Sequence, residues 1–257
     1  MEEVDDSPKA IPKQIKFLQK LVGKLLFYTL LVDPPIAVAV NRLASAQSQA
    51  TEQTMTAATR LIQYCLHHPD ATITYYASDM QLVCHSDASH DSEPKSRSRI
   101  AGVWFAGSDS TNQFEGPNIP KPRLNGCIGF MSTKAPTVCA GAYESEYAGL
   151  WGNVSHLEPI RQTFEDLGHK QGPTRIIYDN TVSGDIANRS CKMKRSKMVA
   201  KQYHWIQERI AFGDYILEWR KGTLNLADFL TKAHPTNHFK AMLPYFVSYP
   251  THNKHTT

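Results

Sequence analysis

Four carboxylates stand where a carboxylate is either a liability or a tool. Asp87 closes the apolar run LVCHSDAS, and Asp179 closes RIIYDN. Glu146 lies within AYESEYAGLWG, and Asp228 lies in the opening turn of LNLADFLTK. Glu146 is the most telling of them. The apolar stripe of its segment is Tyr143, Tyr147, Leu150, Val154 and Leu157. Glu146 is three after the first of these and four before Leu150, so a helix turns it toward the same face. A carboxylate there is costly unless it is paired or binds a metal. Glu144, two residues away, points to roughly the opposite face and reads as solvated. The two strand-end aspartates fall where α/β sheets place ligands, beyond the carboxyl edge. Converging carboxylates without a thiolate or imidazole form a hard oxygen site, suited to Mg2+ or Mn2+. Each aspartate also has a plainer reading. Asp179 could cap a following helix, Asp228 could form a capping arrangement with Asn225, and Asp87 could be a turn residue. The order strand Asp, helix Glu, strand Asp, helix Asp favours the functional reading.

The elements that must position these acids are legible in outline. Apolar residues at helical spacing predict a helix from residue 13 to the Asp33-Pro34-Pro35 stop, since proline lacks an amide hydrogen. Two more helices follow, over 36–46 and from about Met55 to Cys65. Strands are expected over 72–76, 81–85, 100–106, 126–132, 137–140, 175–178 and 215–219. Residues 91–99 read as a charged loop. A long helix from near Ala142 is expected to end or kink at Pro159. Further helices are expected over 180–188, 197–210 and, as the last, 226–232. The alternation predicts an α/β fold with a mixed sheet, preceded by a helical segment.

The chain has 257 residues and a formal charge of +4, ordinary for a globular protein and permissive of a nucleic-acid partner. Its five cysteines, Cys65, Cys84, Cys127, Cys139 and Cys191, form no CxxC pair and read as reduced core residues. No apolar run approaches bilayer length, and the acidic start MEEVDDSPKA is unlike a secretory signal. An intracellular protein is expected. Basic residues cluster twice, at Lys95, Arg97 and Arg99 and at Lys192, Lys194, Arg195, Lys197 and Lys201. Either cluster could track a phosphate backbone, although a solvated face is the commoner use of such runs. Tyr203 and Trp205 read as core. His234 and His238 have a spacing that can bind zinc on a helix. Pro235 lies between them and no third ligand is evident, so they read as part of a polar tail, although His234 could still reach the rim of the acidic site.

The motifs SDAS, YESEYAGL, YDNTVSGDIAN, YHWIQERI and LEWRKGTLNLADFLTK, in that order, resemble the ribonuclease H domain of copia-type long-terminal-repeat retrotransposon polyproteins. The last motif is the most specific. Residues 1–79 resemble the thumb or connection part of the adjoining reverse transcriptase, 80–236 the ribonuclease H domain, and 237–257 a C-terminal tail. The resemblance implies a five-stranded mixed sheet, its first three strands antiparallel neighbours and the fourth and fifth parallel to the first. It implies that Asp87, Glu146, Asp179 and Asp228 are the catalytic, metal-binding quartet. Two Mg2+ or Mn2+ ions would sit roughly 3.5–4 Å apart and serve hydrolysis of the RNA strand of RNA–DNA hybrids. Lys194, Arg195, Lys197 and Lys201 would contact the hybrid, and the rest of a reverse transcriptase polyprotein would be a partner. Localisation would be the cytoplasm, in a virus-like particle, or the nucleus. Met198, Ala200 and Gln202 depart from the family's usual residues. They leave open a decayed or domesticated nucleic-acid-binding module. An integrase-like enzyme of the same fold is disfavoured, because its glutamate would lie on a late helix.

Overall fold

The computed structural model describes residues 5–108, 125–180 and 197–249, with the backbone alone over 197–200. The chain divides into two compact units, one of residues 1–73 with 246–257 and one of residues 74–245.

The first unit is helical. Helix α1 (Pro12–Leu31) begins with proline at its first position, where no amide bond is lost. It buries Leu18, Val22, Leu25 and Thr29. After the Pro34-Pro35 stop, α2 (Ala37–Ala46) and α3 (Glu52–His67) complete a core with Val40, Leu43, Ala58 and Leu61. Thr51 caps α3 by accepting the Thr54 amide at 3.2 Å. The other face of α1 leaves Phe17, Phe27, Leu30 and Leu31 more than half exposed.

The second unit carries the sheet. Strands β1 (Gln81–Glu93), β2 (Arg97–Gly107) and β3 (Cys127–Lys134) form an antiparallel meander. Helix α4 (Ala142–Asp166), β4 (Thr174–Tyr178), α5 (Lys197–Phe212) and β5 (Tyr215–Trp219) follow. β4 runs parallel to β1 and β5 parallel to β4, so the order is β3-β2-β1-β4-β5 with β1 at the centre. This strand order and these directions are the ones implied by the sequence resemblance. β1 is buried continuously from Leu82 to Ala88, as a central strand covered on both faces must be. Tyr147, Leu150, Val154 and Leu157 of α4 pack onto it with Ile176, Ile206 and Tyr215. Tyr203 and Trp205 join this core, as their types suggest.

Several sequence expectations differ from the structure. Residues 91–99 are not a loop. The strands continue into a hairpin in which Arg99, 1% exposed, donates from Nε to Glu93 Oε1 at 2.7 Å. Two charges that satisfy each other can be buried, so polarity was misleading here. Residues 72–76 and 137–140 are not strands. Thr72 makes a single bridge to Ser248, and Cys139 sits in the bend leading to α4. Pro159 does not end α4, and the helix runs on to Asp166. The segment after Asp228 is a 3-10 turn (Leu226–Leu230), and a further helix, α6 (Thr236–Met242), follows. Residues expected as a tail therefore divide between α6 in the second unit and the Ser248 bridge in the first. The helix expected over 180–188 lies outside the described residues, apart from Asn180.

Asp33 is fully buried in the first unit, and neither carboxylate oxygen has a hydrogen-bond partner among the described residues. Burial pushes its carboxyl up to about 7. An unfolded aspartate loses its proton near pH ~4. Between those values the folded state holds the extra proton, so stability falls as pH rises through this window. Asp33→Asn should flatten that fall by roughly 1–3 kcal/mol. Urea titrations at both ends of the window measure this, and identical pH dependence in the two proteins would refute it.

Candidate active site

The acids meet beyond the parallel pairing of β1 and β4. That pairing ends at His85 and Ile177. Asp87 and Asp179 each come two residues later, so parallel register brings them to one level. Asp87 is not at the end of its strand, as its apolar run suggested, but inside it, paired with Ala101 of β2. It is 4% exposed. Glu146 reaches the same place from α4, where the Ala88 amide donates to its carboxylate. Carboxylate oxygens of Asp87, Glu146 and Asp179 lie within 4.8 Å of one another. Asp228 borders this trio and acts electrostatically on each member. It is partly exposed, and Lys232 Nζ lies 2.5 Å from its Oδ1. Glu144 is not merely solvated, since its Oε2 accepts the Ala140 amide at 2.8 Å ahead of α4.

The electrostatics follow from this crowding. Burial and then the charges of Asp179 and Asp228 push the Asp87 carboxyl up to about 7. Burial and then Asp87 push Glu146 up to about 9. Asp179 is raised as well, by burial and then by Asp228. Closely spaced buried acids with raised proton affinity are a donor set for hard divalent cations, so the residues present fit Mg2+ or Mn2+.

Residues that sequence reading did not single out hold the acids in place. Asn225, 1% exposed, donates from Nδ2 to the Ser86 carbonyl at 2.9 Å and accepts the Ala227 amide on Oδ1. It also hydrogen-bonds Asp179. The cap reading thus holds for Asn225, which leaves Asp228 available to the site. The Leu226 amide donates to His85 Nδ1 at 3.1 Å, joining the Asp228 turn to β1. On the other side, Asn153 of α4 donates from Nδ2 to Ser86 Oγ and to the Ala101 carbonyl, each at 3.0 Å. It accepts from Trp104 Nε1 at 3.0 Å. A Cβ on Gly102 would come within 1.6 Å of Asn153 Oδ1, so only glycine admits this network. Buried Asn and Ser with no role in an apolar stripe were the available signal.

The basic clusters fare differently. Arg97 donates to the Ala135 carbonyl and Arg99 is bound to Glu93, so neither is available to a substrate, while Lys95 is exposed. Lys194 and Arg195 lie outside the described residues. Lys197 begins α5, and Lys201 is exposed on it. His234 reaches the rim of the site, as its position allowed, and His238 stands beside it on α6, so the two are not a polar tail. His234 Nε2 is 3.0 Å from the Asp228 carbonyl.

No family model matches the chain. It is 22% identical over 249 residues to the transposon Ty1-DR5 Gag-Pol polyprotein of Saccharomyces cerevisiae. It is 23% identical over 221 residues to the retrovirus-related Pol polyprotein from transposon TNT 1-94 of Nicotiana tabacum. These alignments cover 94% and 85% of this chain, which spans only 13% and 15% of those polyproteins. Among solved structures it is similar to an N-terminal RNase H domain from Mycobacterium tuberculosis. There the identity is 15% and the TM-score 0.40, over 63% of this chain and 96% of that one. RNase H1 of Halobacterium salinarum gives 12% identity and a TM-score of 0.39, over 58% and 93%.

Two outcomes are expected from this geometry. Between pH ~4, where unfolded carboxylates titrate, and about 9, the raised value of Glu146, the folded state holds extra protons. Metal-free stability should therefore fall as pH rises, and millimolar Mg2+ should restore it. Glu146→Gln should raise the metal-free melting temperature at neutral pH by about 2–4 °C and shrink the response to Mg2+. A variant that melts lower without metal would contradict the burial-and-repulsion account. Asn225→Ala should lower stability by about 1–3 kcal/mol and weaken Mg2+ binding by roughly 10–100-fold, as calorimetry would measure. Unchanged metal affinity would show that Asn225 does not position the acids.

Proposed function

We propose that this chain is the ribonuclease H region of a copia-type retrotransposon polyprotein, hydrolysing the RNA strand of RNA–DNA hybrids with two divalent metal ions. The observation that carries this reading is the meeting of Asp87, Glu146 and Asp179 within 4.8 Å, with Asp228 at their edge. Homology to Ty1/copia polyproteins along nearly the whole chain supports it independently.

Asp87, Glu146, Asp179 and Asp228 would hold Mg2+ or Mn2+. When bound, such ions supply an activated water and charge stabilisation for in-line displacement at phosphorus. Asp87, on the central strand, would hold the ions together with Glu146 and Asp179. The Ala88 amide orients the Glu146 carboxylate, and Asn225 orients Asp179. Lys232 pairs with Asp228 Oδ1 at the open side of the site. Lys194, Arg195, Lys197 and Lys201 would follow the phosphate backbone of a hybrid read by shape and 2′-hydroxyls. The exposed apolar side of α1 suits contact with other parts of a polyprotein, residues 1–79 serving as the connection-like segment. An intracellular location, in a cytoplasmic particle or the nucleus, fits this role.

Purified protein incubated with a labelled hybrid and Mn2+ should release RNA fragments, and chelator should stop it. Asp179→Asn should reduce the rate by about 100-fold or more while leaving the circular dichroism spectrum intact. Absence of cleavage by the wild type, with hybrid binding retained, would leave a domesticated binding module in place of an enzyme.

A further inference from the structure

The two histidines near Asp228 make a second set of donors with different chemistry. His234 is 6% exposed in its side chain and stacks on Phe229 at 5.5 Å with the rings 10° apart. His238, on α6, faces it with ring centroids 4.6 Å apart. His234 Nε2 lies 3.9 Å from Asp228 Oδ2, the oxygen opposite the one that Lys232 holds. A carboxylate oxygen of Asp228 and one ring nitrogen from each histidine all lie within 4.8 Å of one another. If Nε2 of His234 donates to the Asp228 carbonyl, its Nδ1 keeps a lone pair. This backbone hydrogen bond is the outer-shell support usual for a metal-binding imidazole. A cavity of about 310 Å³, whose lining includes Asp179, Asn225, Asp228, Lys232 and His238, adjoins the group and has room for a fourth ligand.

We propose that Asp228, His234 and His238 form a binding site for a divalent transition-metal ion of the Zn2+ class, distinct from the oxygen-only site, and that filling it withdraws Asp228 from catalysis. Two imidazoles and one carboxylate select zinc-like ions over magnesium. The oxygen trio selects hard ions. Asp228 borders both sets and cannot serve both with the same oxygens, so a zinc-like ion is an inhibitor of the magnesium-supported reaction. The inhibitory part rests on the nuclease reading above, whereas the binding part does not.

The test uses the whole chain, stripped of metal by chelator and titrated with Co2+ and then Zn2+. Co2+ should give the ligand-field absorption of a four-coordinate ion, and Zn2+ should displace it. His238→Asn and His234→Gln should each weaken Zn2+ binding by about tenfold or more, with unchanged circular dichroism. Zn2+ should inhibit Mg2+-supported hybrid cleavage, and His238→Asn should shift that inhibition by the same factor. Zn2+ affinity unaltered in both variants would overturn the site. Inhibition that does not shift although binding does would overturn the sharing of Asp228. Histidine-dependent Zn2+ binding in a chain that cuts no hybrid would sink the nuclease reading and still support the site.

Discussion

Mutual repulsion among buried carboxylates is the constraint on which the second unit depends. Asp87 and Glu146 are raised first by burial and then by neighbouring acids. Giving up their protons to bind a metal sets like charges side by side where solvent does not reach them. The fold therefore has to hold the ionised acids against their own electrostatics, and the proposed cations would supply the missing attraction. A site of this kind trades stability for a donor set that is ready before the metal arrives.

The holding is done largely at Ser86, the residue before Asp87. Its carbonyl takes the Asn225 amide from the turn that carries Asp228. Its hydroxyl takes the Asn153 amide from the helix that carries Glu146. The central strand is thus tied on both sides, one residue from its own acid. Glycines permit this closeness where a side chain would obstruct it. A Cβ on Gly149 would stand 3.1 Å from the Asp87 carbonyl, and one on Gly222 would stand 2.6 Å from Asp179 Oδ2. Backbone approach, amide links and acid placement are parts of one arrangement.

The sequence carried the periodic features well. The stripe of α4, the inward turn of Glu146 and the apolar strands β4 and β5 all follow from spacing. Pairwise compensation was invisible to it. Glu93 and Arg99 are polar to any residue-by-residue reading, yet they bury each other and lengthen both strands of the hairpin. Asp87 looked like a strand end because the apolar run stops there, whereas pairing with β2 continues past it. The strand order came from family resemblance, since alternation alone gives only an α/β class. His234 and His238 show no third candidate ligand of their own along the chain, because Asp228, the one proposed here, lies before them on a separate turn that α6 folds back to meet.

Asp228 is where these constraints leave latitude. The other acids of the proposed quartet come from β1, α4 and the end of β4, elements locked by the sheet and its core. Asp228 comes from a single 3-10 turn, fastened through Asn225 and the Leu226 amide and followed by the flanking segment with Lys232 and the two histidines. Its backbone is fixed while its carboxylate is partly exposed, with a cation on one oxygen and imidazole near the other. A ligand with a firm anchor and a choice of partners can be won by a hard ion or a borderline one according to which donors each prefers. On the proposed two-site reading, metal discrimination would reside in Asp228, the acid of the four that has imidazole beside it among the described residues.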